Sequence, residues 1–146
     1  MKALVIYDSM YGNTEKIAGA IGGAIAGEVK VLRVAEVTLP ELEAIDLLII
    51  GSPTQGGRPT KPIQEFINKL PETIKGIKVA AFDTRLSTRL VGIFGYAAGK
   101  IAGILKGKGG TLIAPPEAFY VKGNPPSLKD GELERAANWA KGISKK

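Results

Sequence analysis

Short apolar runs alternate with longer stretches of helical period along the whole chain. ALVIY (3–7), VKVLRV (29–34), DLLIIG (46–51), IKVAAF (77–82) and TLIAPPEAFYV (111–121) read as strands. The first, third and fourth are nearly continuous in apolar residues, which is the pattern of strands buried on both faces. Between the first two, EKIAGAIGGAIAGE places Ile17, Ile21 and Ile25 at i, i+4 spacing, one face of a helix. KPIQEFINKL begins among prolines and stops before Pro71, as a helix should. The last segment, DGELERAANWAKGI, offers Asp130 as an N-cap and Leu133, Ala137, Ala140 and Ile143 as an apolar face. Residues 34–46 are short and rich in Pro and Glu, so they predict a loop with a single turn. Gly95, Gly99, Gly103 and Gly107 recur at every fourth position of the fourth helix, and close packing on the sheet is their expected role.

Strands alternating with helices make a βαβ series. The fold class is therefore α/β, a doubly wound five-stranded parallel sheet with helices on both faces. Ligands of such sheets sit outside the carboxyl ends of the strands, where the strand order reverses. That rule selects the loops 8–14, 52–60 and 83–89.

Composition narrows the chemistry. The chain has 146 residues, 45% of them hydrophobic, which suits one globular domain. It has no cysteine and no histidine. Disulfides, thiolate and imidazole metal sites, cysteine nucleophiles and histidine triads are excluded, so redox chemistry must come from an organic cofactor. No secretory signal is visible, and the apolar run 90–105 is broken by Lys100 and several glycines. A membrane-spanning helix needs about 20 mostly apolar residues. The expectation is a cytoplasmic protein with no membrane partner. The formal net charge is +6, but aromatics are not interleaved with the basic residues, so no nucleic-acid partner is expected.

The first loop, SMYGNT, follows a strand and opens a helix. It brings hydroxyls, an amide and backbone N–H groups to a positive helix end, a place for a phosphate. No Lys-Ser or Lys-Thr pair follows its glycine, and it is not GxGxxG, so a monophosphate suits it better than a triphosphate or a dinucleotide.

VIYDSMYGNTEKIAGAI resembles the phosphate-loop signature of the flavodoxins, and GSPTQGGRPTKPIQEFI resembles their second flavin loop. The resemblance runs over essentially the whole chain and implies the strand order 2-1-3-4-5 with FMN as cofactor. It gives Ser9, Tyr11, Asn13 and Thr14, with the backbone of Met10 and Gly12, to the phosphate. Pro53, Thr54, Gln55, Gly56 and Gly57 fall to the flavin ring, and in the third loop Asp83, Thr84, Arg85 and Leu86. It also implies that the Gly56–Gly57 peptide flips on reduction, so that its carbonyl meets flavin N5–H. Two features depart from the family pattern. Gln55 stands where an aromatic often stacks, and the third loop DTRLSTR has none. Arg58, Lys61, Arg85 and Arg89 also give the flavin loops a basic rim where flavodoxins are usually acidic. The function implied is an electron carrier between redox partner proteins with acidic docking surfaces, as a monomer or weak homodimer. An NAD(P)H-dependent FMN or quinone reductase, and a flavin-free phosphoanion-binding or docking module, are the competing readings.

Overall fold

The computed structural model describes residues 1–71, 74–86 and 96–146. Its central strands are β1 (Lys2–Tyr7), β2 (Glu28–Arg33), β3 (Leu47–Pro53) and β4 (Lys78–Leu86), all paired in parallel in the order β2-β1-β3-β4. Alternation along each strand feeds two cores. Val5, Leu47, Ile49, Ala80 and Phe82 point to one face, where they meet Ile17 and Ile21 of α1 (Asn13–Ala24). Ala136, Ala140 and Ile143 of the last helix, α4 (Glu132–Ser144), join them there. Leu4, Ile6, Leu48, Ile50 and Ala81 point to the other face. They pack on Ile63 and Ile67 of α2 (Lys61–Asn68) and on Ile101 and Leu105 of α3 (Ala97–Gly107). The sheet is thus buried on both sides, as its apolar runs predict.

The fifth strand is the expected neighbour of β4, but it comes in two pieces. β5 (Thr111–Leu112) pairs with Lys78 and Val79, and β6 (Glu117–Lys122) pairs with Phe82 to Leu86. Pro115 and Pro116 lie in the break, and without N–H groups they cannot hold a ladder together. A short strand β7 (Ser127–Leu128) then folds back antiparallel on β6, adding a hairpin at the sheet edge.

Three local expectations change. Residues 34–46 form two 3₁₀ turns, Val34–Glu36 and Leu39–Leu42, rather than one. Helix α4 starts at Glu132 after Gly131, so Asp130 is not its N-cap, and Leu133 is exposed while Ala136 is buried. Finally, Gly99, Gly103 and Gly107 face open space, where an added Cβ would touch nothing within 4 Å. The sheet is met instead by Ala98, Ile101, Ala102 and Leu105. Gly95 lies outside the described residues. Among the described residues no helix is long and apolar enough to cross a membrane.

The register of α4 has an electrostatic cause. The Glu132 carboxylate accepts the Tyr120 backbone N–H at 2.7 Å and pairs with Arg135 at 2.7 and 3.0 Å. Arg135 also reaches Glu117 at 2.9 Å and the Ala118 carbonyl. The Arg135 guanidinium holds the Glu132 carboxyl below its ordinary value of 4.5, against burial, which opposes the charge. A carboxyl depressed in the folded state stabilises the fold above its unfolded pKa, and that stability disappears as pH falls through the folded value. Urea midpoints measured from pH 7 down to pH 3 should therefore fall less steeply for Glu132→Gln than for wild type. Parallel curves would mean that the pair does not couple folding to protons.

Candidate functional site

The first two loops and the end of β4 meet around a cleft of about 150 Å³ at the carboxyl ends of β1, β3 and β4. Helix α1 opens onto it. Its entry residue, Gly12, takes φ 87°, and its first intrahelical bond runs from the Lys16 N–H to the Gly12 carbonyl at 3.1 Å. The N–H groups of Asn13, Thr14 and Glu15 therefore have no carbonyl within the helix to meet, and they carry the positive end of its dipole. Ser9 shapes the loop by accepting the Gly12 N–H on Oγ at 3.0 Å, which leaves its own O–H free to donate. Asn13 Nδ2 donates to the Pro126 carbonyl at 3.0 Å, and Thr14 Oγ1 shares a 2.8 Å hydrogen bond with Thr84 Oγ1.

Asp8, directly before the loop, ties it to the rest of the site. Its Oδ1 accepts the Ser9 N–H at 2.9 Å, its Oδ2 accepts the Thr60 hydroxyl at 2.5 Å, and Arg33 lies 3.4 Å from Oδ1. Thr60 in turn donates its N–H to Ser52 Oγ at 2.9 Å. One carboxylate thus fixes the first loop relative to the second.

The second loop is a tight reversal. The Gln55 N–H donates to the Arg58 carbonyl at 2.8 Å and the Arg58 N–H to the Gln55 carbonyl at 3.0 Å. Gly56 (φ 55°) and Gly57 (φ 78°) sit between them. Positive φ at both central residues defines a type I′ turn, which Gly-Gly allows without strain. The third segment is not a loop where it was expected to be. Asp83, Thr84, Arg85 and Leu86 are still strand, because β3 pairs with Asp83 and Thr84 while β6 pairs with all four. The sheet rises beside the cleft, and Thr54 binds it by donating its N–H to the Thr84 carbonyl at 2.9 Å.

Ser9, Met10, Tyr11, Asn13 and Thr14 line the cleft on one side, and Pro53, Thr54, Gln55, Thr84, Arg85 and Leu86 line it on the other. Gly12, Gly56, Gly57 and Asp83 do not. Gly12 and the glycine pair shape backbone, and Asp83 is wholly buried behind Arg85. Val121 and Pro126 also line the cleft, although the sequence reading did not name them. Their signal was available, since Val121 lies at the carboxyl end of another parallel strand and Pro126 follows it. Of the basic rim, Arg58 and Lys61 are exposed beside the second loop. Arg85 is paired with Asp83 at 2.8 Å, and Arg89 lies outside the described residues. A larger cavity, about 320 Å³, lies between the 3₁₀ turns and α2, walled largely by Val34, Val37, Leu39, Phe66 and Leu70 and away from the three strand ends.

Neutral donors at one end of a cleft and Met10, Tyr11, Pro53, Leu86 and Val121 along its walls suit a ligand with an anionic tail and a flat apolar body. That describes a doubly wound nucleotide-binding protein. The family model of the flavodoxins matches residues 5–139. In fold, the chain is similar to a flavodoxin from the domain Archaea, with a TM-score of 0.84 and 27% identity over 99% of this chain and 97% of that one. It is also similar to Flavodoxin 1 of Bacillus cereus, with a TM-score of 0.80 and 21% identity over 99% and 98% of the two chains. A curated relative is the putative diflavin flavoprotein A 4 of Nostoc sp. (strain PCC 7120), 37% identical over 103 residues. The matched region is 65% of this chain and only 16% of that protein. The chain belongs to the flavodoxin family, whose cofactor is FMN. The residues present fit FMN: the α1 N–H groups and the Ser9 hydroxyl suit its phosphate, and the apolar walls suit its ring.

Proposed function

We propose that this chain is a carrier. It would hold FMN between the first and second loops and pass electrons to proteins that dock at the cleft mouth. The observation behind this reading is the unpartnered start of α1, opening beside Ser9 at one end of an apolar-walled cleft. FMN supplies the redox chemistry when bound; the protein supplies position and electrostatics. Ser9, Asn13 and Thr14, with the backbone from Met10 to Thr14, hold the phosphate. Thr54, Gln55, Leu86 and Arg85 border the ring. Arg58 and Lys61 lie exposed beside the second loop and favour an acidic partner face.

Reconstitution with FMN tests the cofactor: flavin absorbance that stays with the protein through gel filtration is the expected result. Free FMN alone in the small-molecule fraction overturns it. Stopped-flow mixing of the FMN-loaded protein with NADPH or NADH separates carrier from reductase. Slow, unsaturable bleaching fits a carrier, and fast saturable bleaching fits a reductase.

The type I′ turn supports a redox-linked movement. Inverting its central peptide gives a type II′ turn, in which Gly56 keeps positive φ and Gly57 does not. That inversion turns the Gly56 carbonyl over, toward a reduced ring if the flip accompanies reduction. Positive φ costs a Cβ-bearing residue about 1–2 kcal/mol. Gly57→Ala should therefore favour the inverted turn and raise the flavin's first one-electron potential by about 40–80 mV. Gly56→Ala penalises the inverted turn more than the observed one and should lower that potential. The first central residue of a type II′ turn combines positive φ with a ψ of about −120°, a position kept for glycine. Equal shifts in the two variants would show that this peptide does not turn over.

A further inference from the structure

Beside the cleft stands an ion pair that binding alone does not require. Asp83 is fully buried on β4. Its Oδ1 accepts from Arg85 Nε at 2.8 Å and its Oδ2 from Arg85 Nη2 at 2.8 Å, the parallel fork of a bidentate pair. The same Oδ2 accepts the Ala98 N–H at 2.9 Å, in the first turn of α3. Beside it, Thr54 Oγ1 accepts the Ala97 N–H at 3.1 Å. The carboxylate is thus anchored by a helix N-terminus as well as by the arginine. Arg85 is held on its face too, with its guanidinium carbon 3.3 Å from the centre of the Tyr96 ring. Its side chain is only 11% exposed, yet it lines the cleft. Two of its five N–H bonds are used on Asp83, and the rest meet no acceptor among the described residues.

We propose that Asp83 is a positioning residue that sets the charge seen by the flavin. It clamps Arg85 against Tyr96, so that the cleft is offered a fixed, planar set of N–H donors with no net charge behind them. A lone arginine at this place would stabilise the reduced, anionic ring much more than the oxidised one. The buried carboxylate removes most of that bias and keeps the donor geometry. The basic character of the rim is left to Arg58 and Lys61, which are exposed and screened by salt. The inference rests on the reading that FMN occupies this cleft.

The test is a redox titration of the FMN-loaded protein as wild type, Asp83→Asn, Arg85→Gln and the double variant, at low and at high salt. Asp83→Asn should raise the potential for the last electron, with a change in the reduced-to-oxidised equilibrium of about tenfold, or about 59 mV. Arg85→Gln, which leaves a buried negative charge, should lower it by a similar factor. The double variant should return close to wild type. These shifts should persist at high salt, unlike those of an exposed charge. Removing one partner of a buried pair destabilises a fold. If Asp83→Asn alone does not fold, the step from Arg85→Gln to the double variant carries the same comparison and should raise the potential. Single variants that bind FMN but shift the potential in one common direction, or not at all, overturn the inference and leave the FMN reading standing. A wild-type chain that takes up no FMN overturns both.

Discussion

Gly51→Ala is expected to lower the thermal midpoint of the FMN-free protein by several degrees. An added Cβ at this position would lie 2.0 Å from Phe82 Cζ and 2.3 Å from both Cε atoms, far inside contact distance. Gly51 and Phe82 are paired residues on β3 and β4, so the ring tip of one strand lies across the bare backbone of the next. The ring has no room to withdraw. It is fully buried, with Phe119 edge-on at 6.1 Å and Trp139 at 6.3 Å, and those two rings meet at 6.0 Å. Trp139 comes from α4 and Phe119 from β6, so a shift of Phe82 loosens the joint between the sheet and the last helix. Overpacking of this kind costs about 1–3 kcal/mol. For a chain of this size each kcal/mol moves the midpoint by about 2–4 °C. Calorimetry without FMN keeps ligand binding out of the comparison. Adding Phe82→Leu to Gly51→Ala should restore part of the loss, because the shorter side chain vacates the clash. A midpoint unchanged in the single variant would mean that the two strands part easily here.

The sheet was legible because its strands are buried on both faces, and continuous runs such as LLII have no other economical reading. The loops were legible for a related reason: a polar, glycine-bearing hexapeptide between a buried strand and a helix has few structural explanations. What resisted reading depends on contacts between segments remote in sequence. Asp83 looks like a loop residue until β6 is seen to extend the ladder past it, and only then does it become a buried partner for Arg85. Tyr96 falls outside DTRLSTR, so its ring beneath Arg85 has no local signal. The glycines of α3 failed differently. Their spacing is regular, but period alone does not say which side of the helix meets the sheet, and the Ala98, Ile101, Ala102 and Leu105 stripe takes that side. In α4 the same ambiguity was settled by charge, since Glu132 is drawn inward by Arg135 and the Tyr120 N–H. Helical period gives a stripe; partners choose its orientation.

Thr14→Val is expected to weaken FMN binding by about 10- to 150-fold while leaving riboflavin binding almost unchanged. Thr14 is 1% exposed and lines the cleft at the start of α1, where the phosphate is proposed to sit. Its hydroxyl has one proton, and Thr84 Oγ1 lies 2.8 Å away, so the two groups can be ordered in either direction. If Thr84 donates to Thr14, the Thr14 proton is left to meet an anion at the start of α1. The loss of such a charge-assisted bond is worth about 1.5–3 kcal/mol. Riboflavin has no phosphate, and so the substitution removes nothing it uses. Stability and binding can be separated at the same pair. Thr14→Val leaves the Thr84 hydroxyl buried without its partner, which costs the fold about 1–3 kcal/mol. Replacing both by Val removes donor and acceptor together, and such isosteric double changes are nearly neutral for stability. The double variant should therefore recover the thermal midpoint of wild type but not its affinity for FMN. Thr84→Val alone should weaken FMN binding less than Thr14→Val, because it only frees the rotation of the Thr14 proton. Fluorescence titrations with both ligands, alongside thermal melts of the three variants, make the comparison. Equal losses for FMN and riboflavin would place the phosphate elsewhere, and recovered affinity in the double variant would mean that Thr14 serves packing alone.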